Sequence, residues 1–247
     1  MEATLSTVIA FAAASFLTGF FKTSFGGGIG MVVTPVVTLL VSARLTMGII
    51  SPLMVLGDLL VVYFFWKKWD SKFVVTLLPT MFVGTFGGTM LIAYLSNAGI
   101  RFVIGVFVLV FAAYHLVRLV RRREFEYVPP RPVVGQVVGL LAGFSTSAAH
   151  SGGIITSPYL VSSGLRKEAV VATGFGLFAI TNWVKMGTYM WAGLVNGQII
   201  LWDLYTLPVL ALGAYLGYQA HKAASSRVFN SAILVIAIAG AIKLLWF

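Results

Sequence analysis

The sequence has no cysteine and very few charged residues. Charged side chains make up 10% of its 247 residues, with seven carboxylates against seventeen lysines and arginines. Soluble domains carry roughly 25% charged residues, so this composition excludes an ordinary soluble protein and a disordered chain. The lack of cysteine excludes disulfides, thiol chemistry and cysteine-ligated metals. With 59% hydrophobic residues and a mean hydropathy of +0.97, the chain is predicted to be a polytopic helical membrane protein.

Hydrophobic runs recur along the whole chain. A spanning helix needs about 20 mostly apolar residues, and we predict ten helical segments: 3–22, 28–42, 45–66, 73–95, 99–120, 133–149, 152–163, 168–191, 199–220 and 226–246. Segments 28–42 and 152–163 are too short to span alone, so whether they cross or re-enter stays open. The first run lacks a basic n-region and continues into further membrane segments, which predicts a retained helix rather than a signal peptide.

Most basic residues fall on one side of these segments. Cytoplasmic loops of membrane proteins are enriched in lysine and arginine, which predicts that both termini face outward. Arg44, Arg101 and Lys243 are then outside. Twelve basic residues are inside: Lys67, Lys68, Lys72, Arg118, Arg121, Arg122, Arg123, Arg131, Arg166, Lys167, Lys222 and Arg227. Lys22 and Lys185 belong to neither group.

The same landmarks occur in both halves of the chain. We predict an N-terminal repeat at 1–120, a cytoplasmic linker at 121–132 and a C-terminal repeat at 133–247, forming one membrane domain. GFFKTSFGGGIGMVVTP in the first half is matched by GFSTSAAHSGGIITSP in the second, and PxxxxGxxxG begins at both Pro79 and Pro208. The glycines of the PxxxxGxxxG motifs are expected to pack helices closely. About five segments per half predict an all-α fold of two inverted-topology repeats with glycine-broken short helices, as in secondary transporters.

A glycine-rich break precedes each short segment. Backbone that leaves a helix inside a bilayer must line a cavity or be buried in protein, and the following helix offers N–H donors and the positive end of its dipole. No carboxylate lies within ten residues of either break, which favours a small oxyanion. The predicted substrate-binding residues are Lys22, Thr23, Ser24, Gly26, Gly27, Gly28, Ser145, Thr146, Ser147, His150, Ser151, Gly152, Gly153, Asn182 and Lys185.

Two charged side chains, Asp58 and Lys185, lie inside predicted spans. Charges at bilayer depth are costly, so they are paired or functional. One interpretation is a structural Asp58–Lys185 ion pair between the halves. The other places Lys185 at the anion and makes Asp58 a coupling or gating group. Asp203 is expected to face a membrane interface, and Trp183 is expected to form pocket wall or core.

The two break motifs resemble those of the TauE/SafE family, also described as the sulfite exporter or TSUP family. The similarity covers essentially the whole chain. The matching positions are Gly26, Gly27, Gly28 and Pro35 in the first half, and Gly152, Gly153 and Pro158 in the second. The resemblance implies an integral membrane carrier of small sulfur-containing anions, such as sulfite or organosulfonates.

These observations predict a secondary transporter of the cytoplasmic membrane that exports sulfite or an organosulfonate such as sulfoacetate. Its site is a midplane pocket between the halves. An anion channel with the same breaks is an alternative, as is a membrane-embedded hydrolase with Ser145, Ser147 or Ser151 as nucleophile and His150 as base. The transporter hypothesis includes a small anionic substrate and the lipid bilayer as partners, and leaves a homodimer open. It includes no nucleic acid, cofactor, metal or catalytic residue.

Overall fold

The chain folds into a bundle of α-helices. The computed structural model describes residues 4–25, 30–65, 67–121, 127, 129–223 and 226–246. Over these ranges every regular element is helical, which confirms the all-α prediction. The helices are α1 (Leu5–Phe25), α2 (Gly30–Thr38), α3 (Ala43–Phe65), α4 (Ser71–Tyr94), α5 (Asn97–Arg121), α6 (Pro132–Ala149), α7 (Gly153–Ser162), α8 (Lys167–Trp191), α9 (Gly197–Tyr205), α10 (Leu207–Ala223) and α11 (Ser226–Trp246).

The lengths and the outer surface of these helices fit a bilayer. Among the described helices, α1, α4, α5, α6 and α8 are long and apolar enough to cross a membrane. Helices α9 and α10 provide a sixth crossing if this pair, bent by 55°, is one broken span. Large apolar side chains such as Val75, Val83 and Phe102 point outward from the bundle. The protein is therefore a multi-pass membrane protein.

One predicted segment, 199–220, is two helices in the structure. Helix α9 ends at Tyr205, Thr206 follows, and α10 begins at Leu207. Pro208 causes the interruption, because its ring has no N–H to donate and collides with the carbonyl group four residues earlier in a continuous helix. A break therefore occurs in the second half that was not predicted.

The two predicted breaks also begin later than the sequence suggested. Helix α1 continues through Phe25, so the stretch from Lys22 to Ser24 is helical rather than part of the break. Helix α6 continues through Ala149, which leaves the second break at residues 150–152. Side chains at the ends of α1 and α6 therefore point in directions set by the helix period.

Asp203 and Trp183 lie in other environments than predicted. Asp203 is completely buried, because α9 packs against α1 and α3, so the interfacial prediction was wrong. Trp183 is 52% exposed on the outer surface of α8, so it forms neither pocket wall nor core. Asn182 and Lys185 are buried on the inner face of the same helix. An advance of about 100° per residue separates Trp183 from them.

Helices from the two halves pack through closely placed glycines. On α10, a Cβ at Gly213 would collide with the Phe16 carbonyl group of α1. On α4, a Cβ at Gly84 would collide with the Leu140 carbonyl group of α6. Gly88 and Gly217, one turn later on each helix, make the equivalent contacts with Phe144 and Phe20. The packing interpretation of the PxxxxGxxxG glycines is confirmed, and the same contact occurs at corresponding positions of the two halves.

Apolar side chains fill two buried clusters. The larger includes Phe11 of α1, Ile50 of α3 and Ile104 of α5. The smaller includes Leu77 of α4 and Leu160 of α7. Many of the buried polar side chains belong to α1, α3, α6 and α8, and they position the candidate site.

Candidate functional site

The second break is a tight reversal of the chain between α6 and α7. His150 ends α6 in the left-handed conformation with φ of 52°, and its N–H group donates to the Ser145 and Thr146 carbonyl groups. The Ser151 N–H group also donates to the Ser145 carbonyl group, at 3.2 Å. Gly152 caps α7 without a side-chain hydrogen bond. The imidazole is thus held at the point where one helix stops and the next begins.

Glycine is required at position 152 because the break is tightly packed. A Cβ there would collide with the Thr146 hydroxyl group and lie 2.6 Å from the Ala142 carbonyl oxygen. The sequence prediction assigned this glycine to close approach by a ligand. In the structure the close approach is made by α6 itself.

His150 forms a buried pair with Lys185 of α8. Lys185 Nζ lies 2.9 Å from His150 Nδ1, and the lysine has no exposed surface. A protonated Lys185 has only donors, so in its charged form Nδ1 accepts and the neutral ring carries its proton on Nε2. Within the described part of the chain, Nε2 is buried and has no hydrogen-bond partner. The Met47 backbone on α3 interacts with the ring, but it makes no hydrogen bond with Nε2.

Two further polar atoms at the end of α6 are also buried without partners among the described residues. They are Ser145 Oγ and Thr146 Oγ1. A buried polar atom without a hydrogen bond costs about 1–3 kcal/mol, and buried polar groups in folded proteins are normally paired. With His150 Nε2, the end of α6 and the second break together contain three polar atoms whose hydrogen-bonding capacity is unused in the described structure.

A second buried polar cluster joins α1, α3 and α8. Lys22 Nζ lies 2.7 Å from Asp58 Oδ1 and donates to the Met54 carbonyl group at 2.7 Å. Asn182 Nδ2 donates to Asp58 Oδ2 at 2.7 Å. A Cβ at Gly57 would lie 2.7 Å from Lys22 Cδ, so this glycine makes room for the lysine stem. The ion-pair partner of Asp58 is therefore Lys22, and not Lys185 as one interpretation of the sequence had it.

Helix α8 connects the two clusters. Asn182 bonds Asp58 in the first cluster, and Lys185, three residues later on the same helix face, bonds His150 in the second. The start of α2 also reaches the second break, because a Cβ at Gly30 would lie 2.5 Å from the Ala149 carbonyl oxygen. The two halves thus contribute to one buried polar region.

Several predicted hydroxyl groups are instead used in helix packing. Thr23 Oγ1 donates to the Ala214 carbonyl group at 2.8 Å, and Ser24 Oγ donates to the Gly217 carbonyl group at 3.0 Å, both on α10. Ser147 Oγ accepts from Thr89 of α4 at 3.4 Å. Ser151 Oγ donates to the Ala149 carbonyl group at 2.8 Å. Among the predicted hydroxyl groups, those of Ser145 and Thr146 are therefore the ones left without a hydrogen-bond partner in the described structure.

The glycine triplet of the first break, Gly26, Gly27 and Gly28, lies outside the described residues. Gly153, also predicted, is the first residue of α7 and is buried. Neither Lys22 nor His150 points into the lipid, since their exposed fractions are 3% and 6%.

Sequence reasoning missed Tyr189, which supports the second break from α8. Its hydroxyl group donates to the Ser147 carbonyl group, and its ring lies edge-on to His150 with centroids 6.2 Å apart. Tyr189 is completely buried, four residues after Lys185. That helical spacing was the available signal, since residues four apart share a face.

The contacts of His150 do not form a serine–histidine pair. The imidazole Nδ1 bonds Lys185, and Ser151, its neighbour in sequence, bonds a backbone carbonyl group. Over the described ranges, no three His, Asp or Glu side chains are grouped so that they could hold a metal ion. The geometry offers hydrogen-bond donors and positive charge.

Comparisons with known proteins identify the chain at family level. No curated protein and no solved structure matches it. The family model described as sulfite exporter TauE/SafE matches residues 11–244, which is nearly the whole chain. Members of this family are transporters, not enzymes. The resemblance based on the two break motifs is thereby confirmed, and the chain belongs to the TauE/SafE family of sulfite exporters.

Proposed function

We propose that the protein is a secondary transporter that exports a small sulfur-containing oxyanion, sulfite or an organosulfonate such as sulfoacetate, across the cytoplasmic membrane. The observation that carries this proposal is the buried Lys185–His150 pair with its unused donor at Nε2. The ligand would bind near the middle of the membrane, between the two halves. The substrate class comes from the family, and the binding chemistry comes from these residues.

The charge of the buried region favours an anion. Lys22 and Asp58 neutralise each other at 2.7 Å, whereas Lys185 is bonded to a neutral imidazole. When Lys185 is protonated, its charge has no counter-charge among the described side chains. A buried ammonium group without a counter-charge is disfavoured and tends to become neutral, so a bound anion would stabilise the charged form of Lys185.

The donors around Lys185 suit sulfonate or sulfite oxygens. His150 Nε2–H can donate one hydrogen bond beside Lys185, and the hydroxyl groups of Ser145 and Thr146, at the end of α6 that leads into the same break, have unused donors. The first turn of α7 adds the positive end of a helix dipole beside the break. Oxyanions with several acceptor oxygens use such a donor set fully.

The contacts between the halves support alternating access. The pairs α1–α10 and α4–α6 use the same glycine–carbonyl contacts at corresponding positions, as an inverted repeat would. Asp58 links α3 to α8 of the other half through Asn182. We assign this link to gating, because it must change when one half rocks against the other.

Outward movement of an anion is favoured by the membrane potential. With the predicted orientation, a cytoplasm that is negative by about 100 mV contributes roughly 2.3 kcal/mol to the export of one negative charge. The carrier could therefore export an anion without a second ion. If a proton were coupled to transport, the proton gradient would add to the driving force from the membrane potential or set the direction of anion movement.

The proposal is tested by flux into and out of proteoliposomes with sulfite, sulfoacetate, sulfate, thiosulfate and taurine. Lys185→Met removes a charged hydrogen bond worth about 1.5–3 kcal/mol, so substrate affinity should fall by about 10- to 150-fold. Lys167→Met, an exposed lysine at the start of the same helix, is the matched control and should transport normally.

Three outcomes would contradict the proposal. They are transport of none of the sulfur anions, equal affinity of Lys185→Met and wild type for every anion, and flux that does not saturate with substrate. The last result would indicate a channel. Saturable flux that is accelerated by substrate on the opposite side of the membrane would support a carrier.

A further inference from the structure

Asp203 of α9 is a buried carboxyl group that the anion site does not use. It has no exposed surface, and within the part of the chain that the structure describes neither carboxyl oxygen has a hydrogen-bond partner. An ionised carboxylate buried without partners is strongly disfavoured, and such groups become neutral instead. We propose that Asp203 is a proton-binding site, which is occupied in this conformation and couples proton movement to transport.

Contacts on either side of Asp203 place it against α1 and α3. Four residues before Asp203, Ile199 packs against α3. A Cβ added at Gly48 of α3 would lie 3.2 Å from Ile199 Cδ1. Three residues after Asp203, the Thr206 and Ser15 hydroxyl groups are hydrogen-bonded at 2.6 Å, which ties α9 to α1. Residues three and four apart share a helix face, so Asp203 lies between these two helices.

The carboxyl group lies next to the bend between α9 and α10. Helix α9 ends two residues after Asp203, and the following helix departs at 55°. Asp203 is six residues into α9, about 9 Å along its axis, on the predicted outer side. A change in this bend would therefore alter the access of water to the carboxyl group without unfolding a continuous helix.

Polar atoms extend from Asp203 toward the Lys22–Asp58 pair. On α1, Ser15, Thr18 and Lys22 occupy one face and are all buried, and this face extends over about 10 Å. On α3, Ser51 lies one turn before Met54, whose carbonyl group accepts from Lys22.

The hydroxyl groups of Thr18 and Ser51 are buried and have no partner among the described residues. Hydroxyl groups both donate and accept, so these two have free capacity to bond water between Asp203 and the Lys22–Asp58 pair. The unused hydroxyls and the unused carboxyl group therefore occur in the same part of the bundle.

No charge on the neighbouring helices offers Asp203 a partner in the described structure. The charged or titratable side chains described on the packed helices are Lys22 on α1, Arg44 and Asp58 on α3, Tyr205 on α9, and Tyr215, Tyr218 and Lys222 on α10. Lys22 and Asp58 bond each other, and Arg44 donates to the Ala93 and Leu95 carbonyl groups. Tyr205, Tyr215, Tyr218 and Lys222 are exposed. Among the groups that the structure describes around Asp203, none is left to neutralise it, so we assign that role to a proton.

The coupling rests on the proposed transport function, whereas the proton site does not. When the carrier changes conformation and water reaches Asp203, the carboxyl group can ionise and release its proton. One proton then moves in each cycle. A pH difference of about one unit should sustain an about tenfold substrate gradient for each coupled proton.

Infrared spectroscopy of the wild-type protein tests the site directly. A protonated carboxylic acid has a C=O stretching band that shifts in heavy water. We expect this band near neutral pH, with loss in Asp203→Asn and retention in Asp58→Asn and in Glu168→Gln, the matched control with an exposed carboxyl group on α8. Absence of the band from the wild type, or its persistence in Asp203→Asn, would overturn the proposal.

Flux in proteoliposomes tests the coupling with sulfoacetate, whose charge is constant near neutral pH. The wild type should accumulate it under a pH gradient. Asp203→Asn should lose this accumulation but keep exchange of internal for external substrate, and Glu168→Gln, which changes an exposed carboxyl group, should keep its response to the pH gradient. Wild-type transport that ignores pH would refute the coupling and leave the transport function intact. A wild type that transports none of the five sulfur compounds would refute the transport function, and the infrared band would still decide the proton site.

Discussion

Removing either member of the Lys22–Asp58 pair should destabilise the protein more than removing both. The charges are 2.7 Å apart and almost completely buried. Truncating one partner of a buried pair leaves an uncompensated charge and costs about 3–5 kcal/mol. Lys22→Met and Asp58→Asn should therefore each lower Tm by about 6–20 °C, since 1 kcal/mol corresponds to about 2–4 °C at this chain length.

The double variant tests whether Asp58 is paired with Lys22 rather than with Lys185. Lys22→Met with Asp58→Asn leaves no unpaired charge at this position, so the Tm of the double variant should exceed that of either single variant. The measurement is thermal unfolding of purified protein in detergent, followed by light scattering and tryptophan fluorescence. The exposed residue Lys222 provides the control, because Lys222→Met should change stability by no more than about 0.5 kcal/mol.

A double-mutant cycle with Asp58 and Lys185 gives the result that would refute the Lys22–Asp58 pairing. If Asp58 were paired with Lys185, the coupling energy between Asp58→Asn and Lys185→Met would be larger than that with Lys22→Met. The structure predicts the opposite order, because Asp58 contacts Lys22 and Asn182 whereas Lys185 contacts His150. Additive losses for Lys22→Met and Asp58→Asn, within about 0.5 kcal/mol, would also contradict the described pair.

Three further changes test the packing around the site. Gly88→Ala places a methyl group 2.6 Å from a carbonyl oxygen of α6, so it should lower the free energy of unfolding by about 1–3 kcal/mol. Gly187→Ala is the control, because nothing lies within 4 Å of its added Cβ, and it should stabilise the protein by about 0.5–1 kcal/mol. Thermal unfolding compares the two variants. Tyr189→Phe leaves the Ser147 carbonyl group without its donor and should cost about 1–3 kcal/mol, with amide hydrogen exchange increased at the end of α6. Asp70→Ala removes two hydrogen bonds at the start of α4, so it should lower the free energy of unfolding by about 0.5–2 kcal/mol. Asp70→Ser should restore most of this stability. An unchanged Tm in Asp70→Ala would contradict the role of Asp70 as the N-cap.

The helix positions were largely predictable because a bilayer imposes strong constraints on sequence. Every backbone group in lipid must be hydrogen-bonded within the protein, so membrane segments are long apolar helices. The segment predicted at 73–95 is α4 at Ser71–Tyr94, and the one at 226–246 is α11 at Ser226–Trp246. The bend at Thr206 was missed, since a proline inside an apolar run, such as Pro208 in 199–220, is compatible with either a kinked helix or the start of a new one.

The chemistry of the site was predictable in type but not in pairing. Buried charges in membrane segments indicate functional or paired groups, and this pointed correctly to Asp58 and Lys185 as buried residues. Which side chains meet depends on helix rotation and packing, and a difference of one residue turns a side chain by about 100°. Thr23 and Ser24 illustrate this, because α10 lies against them and takes their hydrogen bonds.

Composition and hydrophobic pattern alone identified a multi-pass helical membrane protein, and the two glycine motifs identified its family, because these features act locally along the chain. The partners of the buried polar groups depend on contacts between distant residues. Asp58 and Lys22 meet across 36 positions of sequence, and Asn182 reaches Asp58 across 124. Burial of Asp203 likewise results from the packing of α9 against α1 and α3. Electrostatic energies depend on separation and solvent exposure, and both quantities arise only when the helices pack together.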